Sequence, residues 1–270
     1  MKHATQVVFT KDKIVNKLVQ KALGLQMNGF ASEAINIFES AIRKEPNNVI
    51  LCEHYGAALA SLGEFAKAKK YLKRALSASV VKPQVLNNLA TVNRALGLRK
   101  EALLNINSAL KFKPKYTDAW INKANIHGDL KQWDEAISSF TNAIELRQDD
   151  PGPYEKLSHA YLHNSEYHKA LNIYKIAQEK FPLVQQFVIG ELICYRAMKK
   201  YDQAIDFANK IKSYYNNELF WFEWLQTLYL AKEFSQLEQQ SKIAIEKFGE
   251  FPAMMDLLSL REDKSADQPQ

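Results

Sequence analysis

The stretch from Thr117 to Asp150, TDAWINKANIHGDLKQWDEAISSFTNAIELRQDD, decides the fold. Versions of it recur on both sides. Alanine returns at Ala34, Ala68, Ala102, Ala136, Ala170 and Ala204, each 34 residues after the last. A second series lies seven residues further on, at Ala41, Ala75, Ala109, Ala143 and Ala177. A fixed period of this length marks a stack of small supersecondary units that share one continuous core.

Within each period the apolar residues fall on two helical stripes. In the first unit Leu18, Ala22 and Leu25 are spaced four and three, then Asn28-Gly29 supplies a turn, then Ala34, Phe38 and Ala41 repeat the spacing. Pro46 closes the unit, since proline lacks the donor that a helix interior requires. The same reading gives an all-α chain of about seven 34-residue helix-turn-helix units. They lie near 15–48, 49–82, 83–116, 117–150, 151–184, 185–217 and 218–250. A capping helix is expected over 251–261, after an extension at 1–14 and before a disordered tail at 262–270. The pattern weakens toward the C-terminus, and Leu237 follows Ala204 by 33 residues, one short of the period. The prolines support this parse. Pro46, Pro83, Pro114, Pro151, Pro153, Pro182 and Pro252 all fall at expected helix ends or starts.

Each residue type has a packing reason. Alanine is needed where two helices approach closely, and a neighbouring aromatic or leucine fills the gap left between units. The units resemble the tetratricopeptide repeat, whose pattern places an aromatic and small residues on the first helix, A-x3-F on the second, and a closing proline. That likeness is carried by Tyr55-Gly56 with Leu59, by Trp120 with Ala124, and by Tyr154 with Leu157 and Tyr161. Ala34-x3-Phe38, Ala136-x3-Phe140 and Ala170-x3-Tyr174 carry the second helix. It extends from Val15 to about Leu260. The best units also resemble the arrays that precede bacterial sulfotransferases and O-linked sugar transferases. The resemblance implies a right-handed α-solenoid whose first helices line a concave groove that receives an extended peptide or a partner helix.

Composition narrows the function classes. The net charge of +6 is too small to argue for nucleic acid. No run approaches 18 uncharged apolar residues, so no membrane span is expected. The N-terminus lacks the apolar core of a signal peptide. Cys52 and Cys194 sit inside expected helices far apart in sequence, which suits buried thiols and a cytoplasmic location. There is no phosphate-cradling glycine loop, no nucleophile elbow and no HExxH, so neither catalysis nor a cofactor is expected. Glu155, His159 and His163 share a helix face, but three turns of helix do not converge on one ion, and no metal site is assigned.

Binding candidates lie on the side of the first helices that core packing does not use. Asn87, Asn88 and Arg94 belong to the third unit, Asn122 and Asn125 to the fourth, and Lys156 to the fifth. An amide carries a donor and an acceptor and so suits a peptide backbone of any sequence. Asn88 and Asn122 are 34 apart and resemble the asparagine ladder of the O-linked N-acetylglucosamine transferase array. The equivalent positions, Gln20, His54, Lys156, Gly190 and Glu223, depart from it. Val19 and Leu23 stand where a two-carboxylate clamp needs lysine and asparagine, which argues against chaperone-tail recognition. Lys67, Lys69, Lys70, Lys73 and Arg74 form a basic run on the second unit's outer helix, read as a solvated face or as attracting an acidic partner or an anionic surface. The leading reading is a non-catalytic scaffold binding a peptide or partner protein. The alternatives are recruitment of substrate to a separate transferase, or self-association through the C-terminal end around Trp224 and Leu258.

Enlarging the seam and hollowing it should both be costly. Ala136→Leu is expected to lose about 1–3 kcal/mol by overpacking, and Phe140→Ala about 3–5 kcal/mol. Chemical denaturation of each variant checks this, and an unchanged midpoint in both would overturn the parse.

Overall fold

A first helix can fold back on a second only if the chain reverses within a few residues without stranding the last carbonyls of the first. The computed structural model, which describes residues 10, 12–76, 82–214, 217–250 and 252–266, solves this in the same way seven times. At Gly29 the backbone enters the left-handed region, with φ of 85°. The amide of Phe30 then donates to Leu25 O at 2.9 Å, and that of Gly29 to Gln26 O at 3.2 Å. This pair of bonds is the Schellman closure. The left-handed residue recurs at Gly63, Gly97, Lys131, Ser165, Lys199 and Lys232. Each is followed by the same long bond, as in Gln132 N to His127 O and Glu233 N to Leu228 O, both 2.9 Å. The step from Lys199 to Lys232 is the shortened one, so the residue missing from the seventh period is removed without disturbing either turn.

Fifteen helices result among the described residues. They are α1 (Lys13–Met27), α2 (Ala31–Lys44), α3 (Val49–Ser61), α4 (Phe65–Ala75), α5 (Pro83–Ala95), α6 (Arg99–Phe112), α7 (Thr117–Asp129) and α8 (Trp133–Leu146), followed by α9 (Pro151–His163), α10 (Tyr167–Lys180), α11 (Gln185–Ala197), α12 (Tyr201–Ile211), α13 (Glu218–Leu230), α14 (Phe234–Phe248) and α15 (Pro252–Ala266). Several first helices begin on an Asx cap, which satisfies amides that have no partner within the helix. Asp12 accepts from the amides of Ile14 and Val15, and Asn48 from those of Ile50 and Leu51. Pro83 and Pro151 start α5 and α9, where a missing amide costs nothing.

Packing divides the chain into two compact units, Met1–Arg147 and Gln148–Gln270. In the first, α1 to α8 pair as hairpins, and each hairpin leans on the next through α2 on α3, α4 on α5 and α6 on α7. The first helices also stand side by side, α1 on α3, α3 on α5 and α5 on α7. Ala34, Ala68, Ala102 and Ala136 are fully buried at the seams, beside Phe38, Leu72, Ile106 and Phe140. Gly56 is smaller still because a Cβ there would lie 2.8 Å from Leu72 Cγ. In the second unit Ala170, Ala204 and Leu237 hold the same positions, all fully buried. Trp221 and Trp224 fill its core with ring centroids 5.1 Å apart. The last helix packs on α13, burying Met254 and Leu257.

Two expectations need correction. The C-terminal helix runs on through Ala266, beyond the expected end at Arg261. The sequence Arg261–Lys264 contains no helix breaker, so nothing stops it there; residues 267–270 lie outside the described residues. At the other end α1 starts at Lys13 on its Asp12 cap, so the last residues of the 1–14 extension lengthen the first helix. Residues 1–9 and 11 lie outside the described residues. Trp224, named for self-association, is fully buried against Phe220 and Trp221, and Leu258 packs on the same cluster. Trp224 is therefore a core residue, while Leu258 is half-buried.

A side chain in the left-handed region costs about 1 kcal/mol that glycine does not incur. Lys131→Gly is therefore expected to raise stability by about 1 kcal/mol, and Gly63→Ala to lower it by about the same amount. Urea denaturation of the two variants tests the assignment of the turn.

Candidate functional site

The first helices of the N-terminal unit expose one side that neither their hairpin partners nor their neighbours cover. The 34-residue spacing puts Gln20, His54, Asn88 and Asn122 at equivalent places on α1, α3, α5 and α7, and all four are half-buried. Asn125 lies nearly one turn beyond Asn122 and is also half-buried. Among the described residues no side-chain bond engages Asn88 or Asn125.

His54 belongs with the amides. Burial pushes its imidazole below the usual histidine pKa, Glu53 opposes that shift, and Lys82 adds to it. Lys82 is itself held by Glu53 at 2.6 Å. A neutral imidazole carries one donor and one acceptor, as an amide does. Four successive first helices therefore carry a neutral donor–acceptor side chain at this register, of which Gln20, His54 and Asn122 already have a partner within the chain. Two of these groups, Gln20 and His54, are departures from asparagine in the sequence. The signal that could have found them was the 34-residue register read by chemistry instead of by residue name.

Other candidates are already occupied. Asn87 is only 6% exposed, and its Oδ1 accepts from Asn122 Nδ2 at 2.9 Å. It works as a tie between α5 and α7, which orients the Asn122 amide and is not itself open to a ligand. Arg94 makes a two-pronged bond to Asp129, Nε to Oδ2 at 2.7 Å and Nη2 to Oδ1 at 2.9 Å. That is a second tie between the same helices, in the fork geometry that arginine favours. Both residues make contacts between hairpins.

The row changes character in the C-terminal unit. Lys156 is exposed on α9. Gly190 is buried under Tyr174, whose ring would lie 2.3 Å from a Cβ at that position. Glu223 is paired with Arg196 at 2.5 Å, both mostly buried. Beside Gly190, Glu191 is 4% exposed and accepts from the Tyr195 hydroxyl at 3.1 Å. Burial raises its carboxyl pKa, against the opposing effect of Lys175. Position for position, the neutral donor–acceptor series is a property of the first unit. Cys52 and Cys194 are buried, unpaired thiols, and no described helix is long and apolar enough to cross a membrane.

Comparison with known proteins agrees with this architecture. Residues 19–80 and 117–150 match tetratricopeptide-repeat family profiles. The chain carries tetratricopeptide repeats. Among curated proteins it is 25% identical over 122 residues to human tetratricopeptide repeat protein 6, a match covering 45% of this chain and 23% of that one. It is 24% identical over 136 residues to the probable UDP-N-acetylglucosamine–peptide N-acetylglucosaminyltransferase SPINDLY of Hordeum vulgare, covering 48% of this chain and 14% of that protein. The matched stretches thus span a quarter or less of these relatives. A tetratricopeptide repeat protein from Parabacteroides merdae superposes with TM-score 0.63 at 19% identity, covering 91% of this chain and 98% of that one. YrrB, described as a tetratricopeptide repeat protein with an unusual peptide-binding site, gives 0.52 at 19% identity, covering 63% and 88%. At these identities the structural matches speak for the fold.

The shift at His54 has a consequence for stability. Its folded pKa lies below the unfolded value of about 6.5, so the unfolded state binds the extra proton first as pH falls. Stability is held above that value and is lost on acidification through the window beneath it. His54→Gln is expected to reduce the drop in thermal midpoint between neutral and mildly acidic buffer, as followed by circular dichroism.

Proposed function

We propose that this chain is a non-catalytic scaffold that binds an extended peptide, or an extended segment of a partner protein, along the first helices of its N-terminal unit. The observation that carries the reading is the pair Asn88 and Asn125, half-buried amides on the neighbouring helices α5 and α7 that no side-chain bond engages among the described residues, with Asn122 one period on from Asn88. Packed helices lie about 8–10 Å apart. An extended chain advances about 3.3 Å per residue. A peptide crossing the helices would therefore meet one such group about every third residue, at its backbone. Neutral groups of this kind bond to a peptide amide without the desolvation cost of a charge. The tie between Asn87 and Asn122 supports the reading because it fixes one amide before any ligand arrives, which lowers the entropy lost on binding. YrrB, with its peptide-binding site, lends support by likeness of fold. A cytoplasmic location, proposed with this role, is in keeping with two thiols kept apart and buried.

A second reading is that the array recruits substrates to a separate transferase. The similarity to SPINDLY over 136 residues favours it. The two readings share the binding face and differ in what the partner does next, so co-purification with a transferase would select the second.

The binding face is tested with a partner segment obtained by affinity capture and then made synthetically. Titration calorimetry should show Asn88→Ala/Asn125→Ala binding that segment about tenfold or more weakly, as expected for two lost hydrogen bonds. The variant's thermal midpoint should stay close to that of the wild type. Undiminished affinity in a folded variant would end this reading.

A further inference from the structure

The second helices turn a different side to solvent, and one of them differs from the rest. Helix α4, FAKAKKYLKRA, carries Lys67, Lys69, Lys70, Lys73 and Arg74 and no carboxylate. Every other second helix contains at least one acid. Ala68, Leu72 and Ala75 face inward and are buried, which directs the cations to the opposite side.

The cations repel one another. Lys67 and Lys70, and Lys70 and Lys73, are three apart; Lys69 and Lys73, and Lys70 and Arg74, are four apart. On a helix these are neighbours, and like charges there are destabilising. Among the described residues the two ends have partners. Lys67 pairs with Glu64 at 3.1 Å, and Arg74 donates to Asn47 Oδ1 at 2.6 Å. Among the described residues no carboxylate lies in ion-pair range of Lys69, Lys70 or Lys73. Lys70 and Lys73 are exposed, and Lys69 is half-buried. The imbalance extends beyond the helix, since most of the chain's lysines and arginines lie in the N-terminal unit and acids outnumber them in the C-terminal one.

We infer that the outer face of α4 is a second docking surface, separate from the first-helix face, and that its partner is an acidic helical segment of a protein. Three observations select this partner. The face has no exposed aromatic on which a base could stack, because Tyr71 is packed on Tyr55 with centroids 4.7 Å apart. It exposes no large apolar side chain between Phe65 and Ala75 that could enter a bilayer. Its cations are centred on lysine, a flexible point charge, at three- and four-residue spacing along a helix of about three turns. Carboxylates at the same spacing on a partner helix meet them one for one. Docking there also removes the repulsion that the free helix carries.

The test uses the full-length protein and a fluorescein-labelled helical peptide with glutamates at three- and four-residue spacing, followed by anisotropy. Wild type should bind, and should release the peptide as salt is raised. Lys69→Gln/Lys70→Gln/Lys73→Gln should bind about tenfold more weakly, as expected from three exposed ion pairs. Its thermal midpoint should be unchanged or higher, because glutamine keeps the helix and removes the repulsion. Replacing the same three lysines by arginine should retain binding, and Asn88→Ala/Asn125→Ala should leave it unaffected. Equal binding by the glutamine variant would overturn the inference. So would tighter binding of wild type to phosphatidylserine vesicles, or to a single-stranded oligonucleotide, than to the peptide.

Discussion

The closest approach of helix to helix governs this molecule. On six of the seven second helices the chain places alanine where the helix meets its neighbours, and Ala34, Ala68, Ala102, Ala136, Ala170 and Ala204 are all without exposure. A larger side chain would hold the backbones apart, and the residue four on, such as Phe38, Leu72, Ile106 or Phe140, would no longer fill the gap. Leu237 holds this position in the seventh period and is equally buried. There the preceding segment is one residue shorter and the core is built from Trp221 and Trp224, so a different volume balance applies. Everything on the surfaces, including the register of the amides, follows from the regular spacing that these small residues permit.

That regularity explains how much could be read in advance. Periodicity gave the helices, because apolar spacing and turn chemistry repeat and each copy corroborates the others. It also set Asn88 and Asn122 at equivalent places on α5 and α7, where both are half-buried. Spacing could not reveal the pairing between helices. Asn87 to Asn122 and Arg94 to Asp129 each join residues 35 apart. These bonds depend on side-chain reach across a seam, which no one-dimensional pattern records. The protonation state of His54 was equally out of reach, since it is set by burial and two charged neighbours that only the fold brings together. Toward the far end, the dense aromatic run fills the core under α15, and Trp224 is part of it.

The two faces of the N-terminal unit differ in chemistry. The first helices offer neutral groups with direction and little charge, which favour backbone contacts and tolerate varied side chains. Helix α4 offers charge with little direction, which acts at longer range and responds to salt. The C-terminal unit does not continue the neutral series. Where it would continue, Tyr174 covers Gly190 and Arg196 covers Glu223. Those positions are spent on internal packing.

The left-handed turns carry one more consequence. The first three hairpins close on glycine and the last four on lysine or serine. In a linear array of coupled units, small differences in hairpin energy set the route along which the array assembles. The glycine-closed hairpins reach their turn geometry without a side-chain penalty, so they are the natural starting point for folding. During synthesis they also leave the ribosome first. The array is thus biased to grow in the direction of translation, with early hairpins serving as the template on which later, more strained ones settle.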